Sequence, residues 1–277
     1  SGNDDIYASR VLVNGSLPWT PDGRSIDSNS APQNQPRIAA DGIGGCVLTW
    51  RTNFFESQGD VRLARLQPDG FSTYIRSLTN ADGFGVLDLT IAGDGTGGAF
   101  VSWGRADVLG SGPTLAIAQR VSGDGFPLWA SSGVLVAPVS SGGQAKPVIA
   151  PDGFGAAVVV FDDERGGLYA QRVSADGFRE WDFLGIPVSL AGGPQSDPVL
   201  SPLADGSLVV SWNDGRVFNQ PGVYAQRLDF WGVTGDPSPS ITAVEDFPQD
   251  QGGTLIVEWT ASDRDNRGDR LIEDRSE

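Results

Sequence analysis

The chain has 277 residues, with 35 acidic side chains against 19 basic ones and no histidine. A formal charge of −16 repels phosphate backbones and anionic bilayers, so nucleic acid is excluded as a partner class. No apolar run reaches the 18 residues needed to insert in a membrane, and the missing histidine removes the commonest general base and metal ligand.

The first element, in chain order, is the short run Ile6-Tyr7-Ala8-Ser9-Arg10, and its closing arginine recurs at Arg65, Arg120, Arg172 and Arg227. The steps are 55, 55, 52 and 55 residues, and an aromatic follows nine positions later at Trp19, Tyr74, Trp129 and Trp181. After the fifth arginine only Trp231 follows, out of register. A second landmark is an aspartate nine residues before an aromatic: Asp41 with Trp50, Asp94 with Trp103, and Asp152 with Phe161, with Asp205 and Trp212 a shortened form. The runs between them, such as Ala157-Val158-Val159-Val160, are β-branched and apolar almost throughout, as in strands covered on both faces. Asp-Gly pairs punctuate the runs as hairpin turns, and no segment keeps a 3.6-residue period.

Each unit therefore reads as four antiparallel strands, a to d. A period near 55 residues predicts an all-β, five-bladed β-propeller. The chain starts at strand c, and Asp250 to Trp259 repeats the nine-residue spacing of strands a and b. The expected blades are roughly 239–277 plus 1–35, 36–88, 89–146, 147–197 and 198–238, the first closed by strands from both chain ends. The alternative is a propeller part over 1–237 and a separate segment over 238–277. Ile241 to Trp259 resembles the opening strands of a fibronectin type III domain, which implies a truncated domain there.

Ser122-Gly-Asp124-Gly-Phe-Pro-Leu-Trp129 and Ser174-Ala-Asp176-Gly-Phe-Arg-Glu-Trp181 resemble the Asp box of bacterial sialidases and related secreted propellers, with the glycine one residue early. The resemblance implies structural turns, with the tryptophans as inter-blade packing. The alternative is a ring of sugar-stacking platforms, as in five-bladed lectins, in which Trp129 and Trp181 meet the ligand. The repeated arginines are expected to pair with the repeated aspartates. The loops after strand b vary most in length and are the expected binding face. They carry Asp163, Glu164 and Asp214, candidate ligand-binding carboxylates and a conceivable glycosidase set. Calcium is the candidate ion, with Asp4, Asp5, Asp162 and Asp163 as hard oxygen ligands. The single cysteine, Cys46, reads as a small buried hydrophobe.

With no nucleophile–base pair and a structural account for each recurring polar residue, the expected role is a non-catalytic binding or adhesion module. It would be secreted or on a cell surface, take carbohydrate or another surface macromolecule as partner, and belong to a larger chain or assembly. Two other readings are a glycan-active hydrolase of the sialidase-like propeller type and a structural subunit of a cell-surface assembly.

Overall fold

A computed structural model of the chain describes residues 4–52, 59–79, 84–107, 112–138, 143–217, 220–234, 240–246 and 255–260, the last two as backbone only. No helix occurs among them. Strands β1 (Ile6–Ala8) and β2 (Arg24–Asp27) form an antiparallel pair. Three four-stranded antiparallel meanders follow. They are β3 (Gln33–Ala40), β4 (Cys46–Thr52), β5 (Asp60–Leu66) and β6 (Ser72–Ser77); then β7 (Phe84–Gly93), β8 (Ala99–Asp107), β9 (Leu115–Val121) and β10 (Val134–Leu135); then β11 (Gln144–Pro151), β12 (Ala157–Asp163), β13 (Leu168–Val173) and β14 (Ile186–Ser189). A fourth sheet holds β15 (Gln195–Pro202), β16 (Leu208–Asp214) and β17 (Gly222–Leu228). Strands β18 (Ser240–Asp246) and β19 (Leu255–Thr260) pair with each other. Asp250 and the tail from 261 lie outside the described residues, as does most of the fibronectin-like segment.

This is the β-propeller expected from the repeat. The first strands of successive sheets, β3, β7, β11 and β15, neighbour one another around the axis. Apolar cores fill the spaces between blades. Val47 and Leu63 pack with Val101 and Trp103, Phe100 and Ala118 with Val159 and Phe161, and Val158 and Ala170 with Val210 and Trp212. The half-blade β1–β2 packs Ile6 and Ile26 on Leu48 and Trp50.

The two repeat landmarks meet in one device. Each recurring aspartate uses one carboxylate oxygen on its own turn: Asp41 Oδ1 accepts from the amides of Ile43 and Gly45, and Asp152 Oδ1 from those of Phe154 and Ala156. The other oxygen takes the recurring arginine of the same blade. The pairs are Arg65–Asp41 at 2.8 Å, Arg120–Asp94 at 3.2 Å, Arg172–Asp152, and Arg227–Asp205 at 2.6 Å.

The aromatics nine residues further on lie under the next blade's turn. Trp129 Nε1 donates to the Ala175 carbonyl at 2.9 Å, and the turn glycine Gly177 rests on its indole ring. Trp181 reaches Phe230 and Trp19 reaches Pro68 in the same way. Glycine is required at these turns twice over. At Gly125 φ is +77°, and an added Cβ would stand 2.4 Å from the Tyr74 ring.

A third inter-blade device escaped the sequence reading. The pattern Gln-x-x-Pro opens three of the axial strands, at Gln33, Gln144 and Gln195. Each glutamine is buried, and its Oε1 accepts from a backbone amide of the preceding blade: Ile6 at 3.2 Å, Ala116 at 3.3 Å and Leu168 at 3.2 Å.

Candidate active site

Among the described residues four non-glycine residues have left-handed backbones, and they occupy one equivalent position in four blades: Gln35 (φ 52°), Asp88 (φ 49°), Lys146 (φ 48°) and Asp197 (φ 54°). Each sits in a bulge of the axial strand. The register slips between Asn34 and Arg37, Leu87 and Thr90, Ala145 and Val148, and Ser196 and Val199, each time opposite the aromatic that closes strand b. Left-handed conformation costs a β-carbon-bearing residue about 1–2 kcal/mol, and such strain concentrates at functional sites. Here it marks one polar residue at the same axial-strand position in each of four blades.

Three of these residues, with Arg37, line a cavity of about 280 Å3 in the channel, walled by Leu89, Thr90, Pro147, Val148, Pro198 and Val199. Lys146 Nζ lies 3.1 Å from Asp197 Oδ1, and the Lys146 amide donates to Asp88 Oδ2 at 3.3 Å. Asp197 Oδ2 also accepts from Ser196 Oγ at 2.8 Å and Asn213 Nδ2 at 3.2 Å. Those hydroxyl, ammonium and amide donors hold the Asp197 carboxyl below the usual carboxylate range. Asp162 lies across the β11–β12 register from Ala145, beside Lys146. Burial pushes its carboxyl above the usual range. Lys146 opposes that shift, whereas Asp163, Glu164 and Asp197 add to it.

Two carboxylates next to one lysine therefore have opposite proton affinities. Asp162 holds its proton more tightly than an ordinary carboxyl and Asp197 less tightly. That is the arrangement needed to give one proton and take another in a single event.

The loop carboxylates singled out from sequence are placed differently. Asp163 is buried and forked by Arg165 at 2.7 and 2.8 Å, and the guanidinium stacks 3.9 Å over Tyr169. Asp214 repeats this with Arg216 at 2.9 and 2.6 Å, takes Trp212 Nε1 at 2.8 Å, and is held well below the usual range chiefly by Arg216. Asp163 and Asp214 thus brace separate turns, one in each blade. Glu164 is exposed, and its amide donates to the Gly143 carbonyl. Trp129 is buried in the inter-blade seam. Trp181 is half-buried and lines a surface depression with Phe178, Arg179 and Phe183. Asp4 is exposed, Asp5 is half-buried, and Asp162 and Asp163 alternate to opposite faces of β12. Among the described residues no group of three or more acidic or cysteine side chains is placed to share a metal ion. None of the described residues forms a helix long and apolar enough to cross a membrane.

The axial position was not legible in the sequence because no single residue type recurs through its four blades: it holds glutamine, aspartate, lysine and aspartate. The signal that could have found it is the position before the proline of Gln-x-x-Pro, occupied by Gln35, Lys146 and Asp197.

No protein-family model matches the chain. Solved structures similar to it include the α-L-arabinanase of Penicillium chrysogenum, at 12% identity over 93% of this chain and 79% of that one, with a TM-score of 0.47. An endo-arabinase from Bacteroides thetaiotaomicron matches at 14% identity over 75% and 78%, with a TM-score of 0.40. Puromycin hydrolase matches at 19% identity over 82% of this chain but only 36% of its own length, with a TM-score of 0.40. The matched structures are hydrolases, so the expectation of a non-catalytic, non-enzymatic binding or adhesion module is corrected. At these similarities the matches carry neither substrate nor site to this chain.

Proposed function

We propose that the chain is a glycan-active hydrolase whose reacting groups are Asp162 and Asp197 at the channel mouth. The observation that supports this reading is the pair of carboxyls flanking Lys146 with proton affinities driven apart. Asp162, whose proton affinity burial raises, donates to the leaving oxygen of a glycosidic bond. Asp197, held ionised by Ser196, Lys146 and Asn213, acts on the opposite side, as base toward water or as nucleophile toward the anomeric carbon. Lys146 keeps Asp197 ionised and anchors the bulge through its amide. The apolar faces of Pro147, Pro198 and Val199 suit a sugar ring.

The sign of the pH dependence follows. Activity falls on the acid side as Asp197 gains a proton, and on the alkaline side as Asp162 loses one. A panel of plant-wall polysaccharides and chromogenic glycosides tests the reading. Asp162→Asn and Asp197→Asn should each lower kcat about 10²–10⁴-fold with the fold retained by circular dichroism. Turnover undiminished in the double variant, or no turnover of any glycan by the parent, overturns it.

A further inference from the structure

Arg37 breaks the repeat at the channel wall. Its equivalents two residues beyond the other bulges are Thr90, Val148 and Val199, which pair across to strand b as Arg37 pairs to Thr49. Thr90 is engaged with Ser102 Oγ at 2.7 Å, and Val148 and Val199 have nothing to offer a polar ligand. The guanidinium of Arg37 has a different status. Its one hydrogen bond, from Nη1, goes to the neighbouring Pro36 carbonyl at 3.1 Å, and no described carboxylate lies within ion-pair distance. Of the other arginines at repeat positions, Arg10 donates to the Pro68 carbonyl, and the rest are held by aspartates: Arg65, Arg120, Arg172 and Arg227 in the sheets, Arg165 and Arg216 in the turns. Lys146, the other cation of the cavity, already faces Asp197. Among the described residues the cavity therefore presents one guanidinium without an anion, in a protein that carries sixteen excess negative charges, on the same cavity as Asp197.

We propose that Arg37 is a specificity-determining residue that binds an anionic substituent of the substrate, the carboxylate of a uronic acid or an equivalent acidic group on a sugar. A guanidinium forks onto a carboxylate or sulfate with two parallel hydrogen bonds, which gives orientation as well as affinity. The cavity of about 280 Å3 takes roughly one sugar ring. The acidic residue would then sit in the subsite beside Arg37, adjacent to the bond under attack. The charge of the whole molecule narrows the class further. A field of −16 opposes the approach of a polyanion, so the acid is an isolated substituent on an otherwise neutral glycan and not one repeated on every unit.

This inference rests on the hydrolase reading, and its test separates the two. Asp162→Asn/Asp197→Asn protein is titrated by calorimetry with three xylo-oligosaccharides of equal length: neutral, glucuronate-bearing and sulfated. Binding of an acidic oligosaccharide at least about tenfold tighter than the neutral one is expected. Arg37→Gln should erase that gap and Arg37→Lys should keep part of it, with neutral binding unchanged in both. The preferred acidic arm identifies carboxylate or sulfate as the group recognised. Equal affinities for all three, or a preference that survives Arg37→Gln, overturns the assignment. If the preference is present but the parent protein cleaves none of the three, Arg37 keeps its role and the hydrolase reading fails.

Discussion

The seam between blades and the rim of the channel use the repeat in opposite ways. At the seam the same residue type does the same job in blade after blade, aromatic ring under glycine and glutamine on a backbone amide, as arginine on aspartate does inside each blade. At the rim the same strained backbone presents three different side chains over four blades: glutamine, aspartate, lysine and aspartate. Repetition of side chain marks what every blade needs in order to stand beside its neighbour. Repetition of backbone with variation of side chain marks where a ring of near-identical parts becomes chemically asymmetric, and a single reaction needs that asymmetry.

The sharpest test of this contrast after the loss of turnover in the Asp162 and Asp197 variants is Arg172→Ala. The Arg172 side chain is 10% exposed and that of Asp152 is 1% exposed, so the change strands a buried carboxylate. A loss of about 3–5 kcal/mol in denaturant unfolding is expected. Arg227→Ala breaks the same contact where both partners are 35% and 55% exposed, and should cost far less. Equal losses at the two sites would break the idea that burial of the pair sets the energy.

Gly125→Ala comes next, at about 1–3 kcal/mol, because it adds left-handed strain and drives a methyl group into Tyr74. Gly153→Ala, at φ +81° with open space around it, carries the strain alone and should cost about 1 kcal/mol. The difference between the two melting shifts isolates the ring contact.

The smallest effect is in acid. Asp205 is lowered to about 2, first by the Ser207 hydroxyl and amide and then by Arg227. A carboxyl lowered in the folded state stabilises above its ordinary value near 3.8 and loses that contribution as pH falls through about 2. Asp205→Asn should therefore flatten the stability curve between about pH 4 and 2 and leave it unchanged at pH 7 relative to pH 5. A steeper acid limb in the variant would contradict the pairing.

Much of the architecture could be read from spacing. Arg10 to Arg227 marked the blades, and Asp41 to Trp50 marked the inner hairpin, because turns and buried contacts demand fixed residue types at fixed distances. The seam role of Trp129 was also legible, as one aromatic per period. The channel was not. A left-handed bulge at Lys146 or Asp197 is imposed by pairing against the strand-b aromatic, so no Asn-Gly or Asp-Gly pair announces it. The loop carboxylates attracted attention because acidic residues stood together, yet Asp163 and Asp214 each have an arginine two residues on that takes up both oxygens. A carboxylate followed at that distance by arginine is a closed turn, whereas Asp162, one residue earlier, lies on the opposite face of β12 beside Lys146.

The ring of Trp129 under Gly177 makes each blade a plug on one side and a socket on the other. Such a contact is head-to-tail and compatible with itself, so a duplicated blade finds its neighbours ready-made on both sides. The number of copies is then limited by the angle at which a circle closes, not by any pair of side chains. A family built this way can gain or lose whole blades without inventing a new interface, and the chemistry at the axis must be rewritten each time it does.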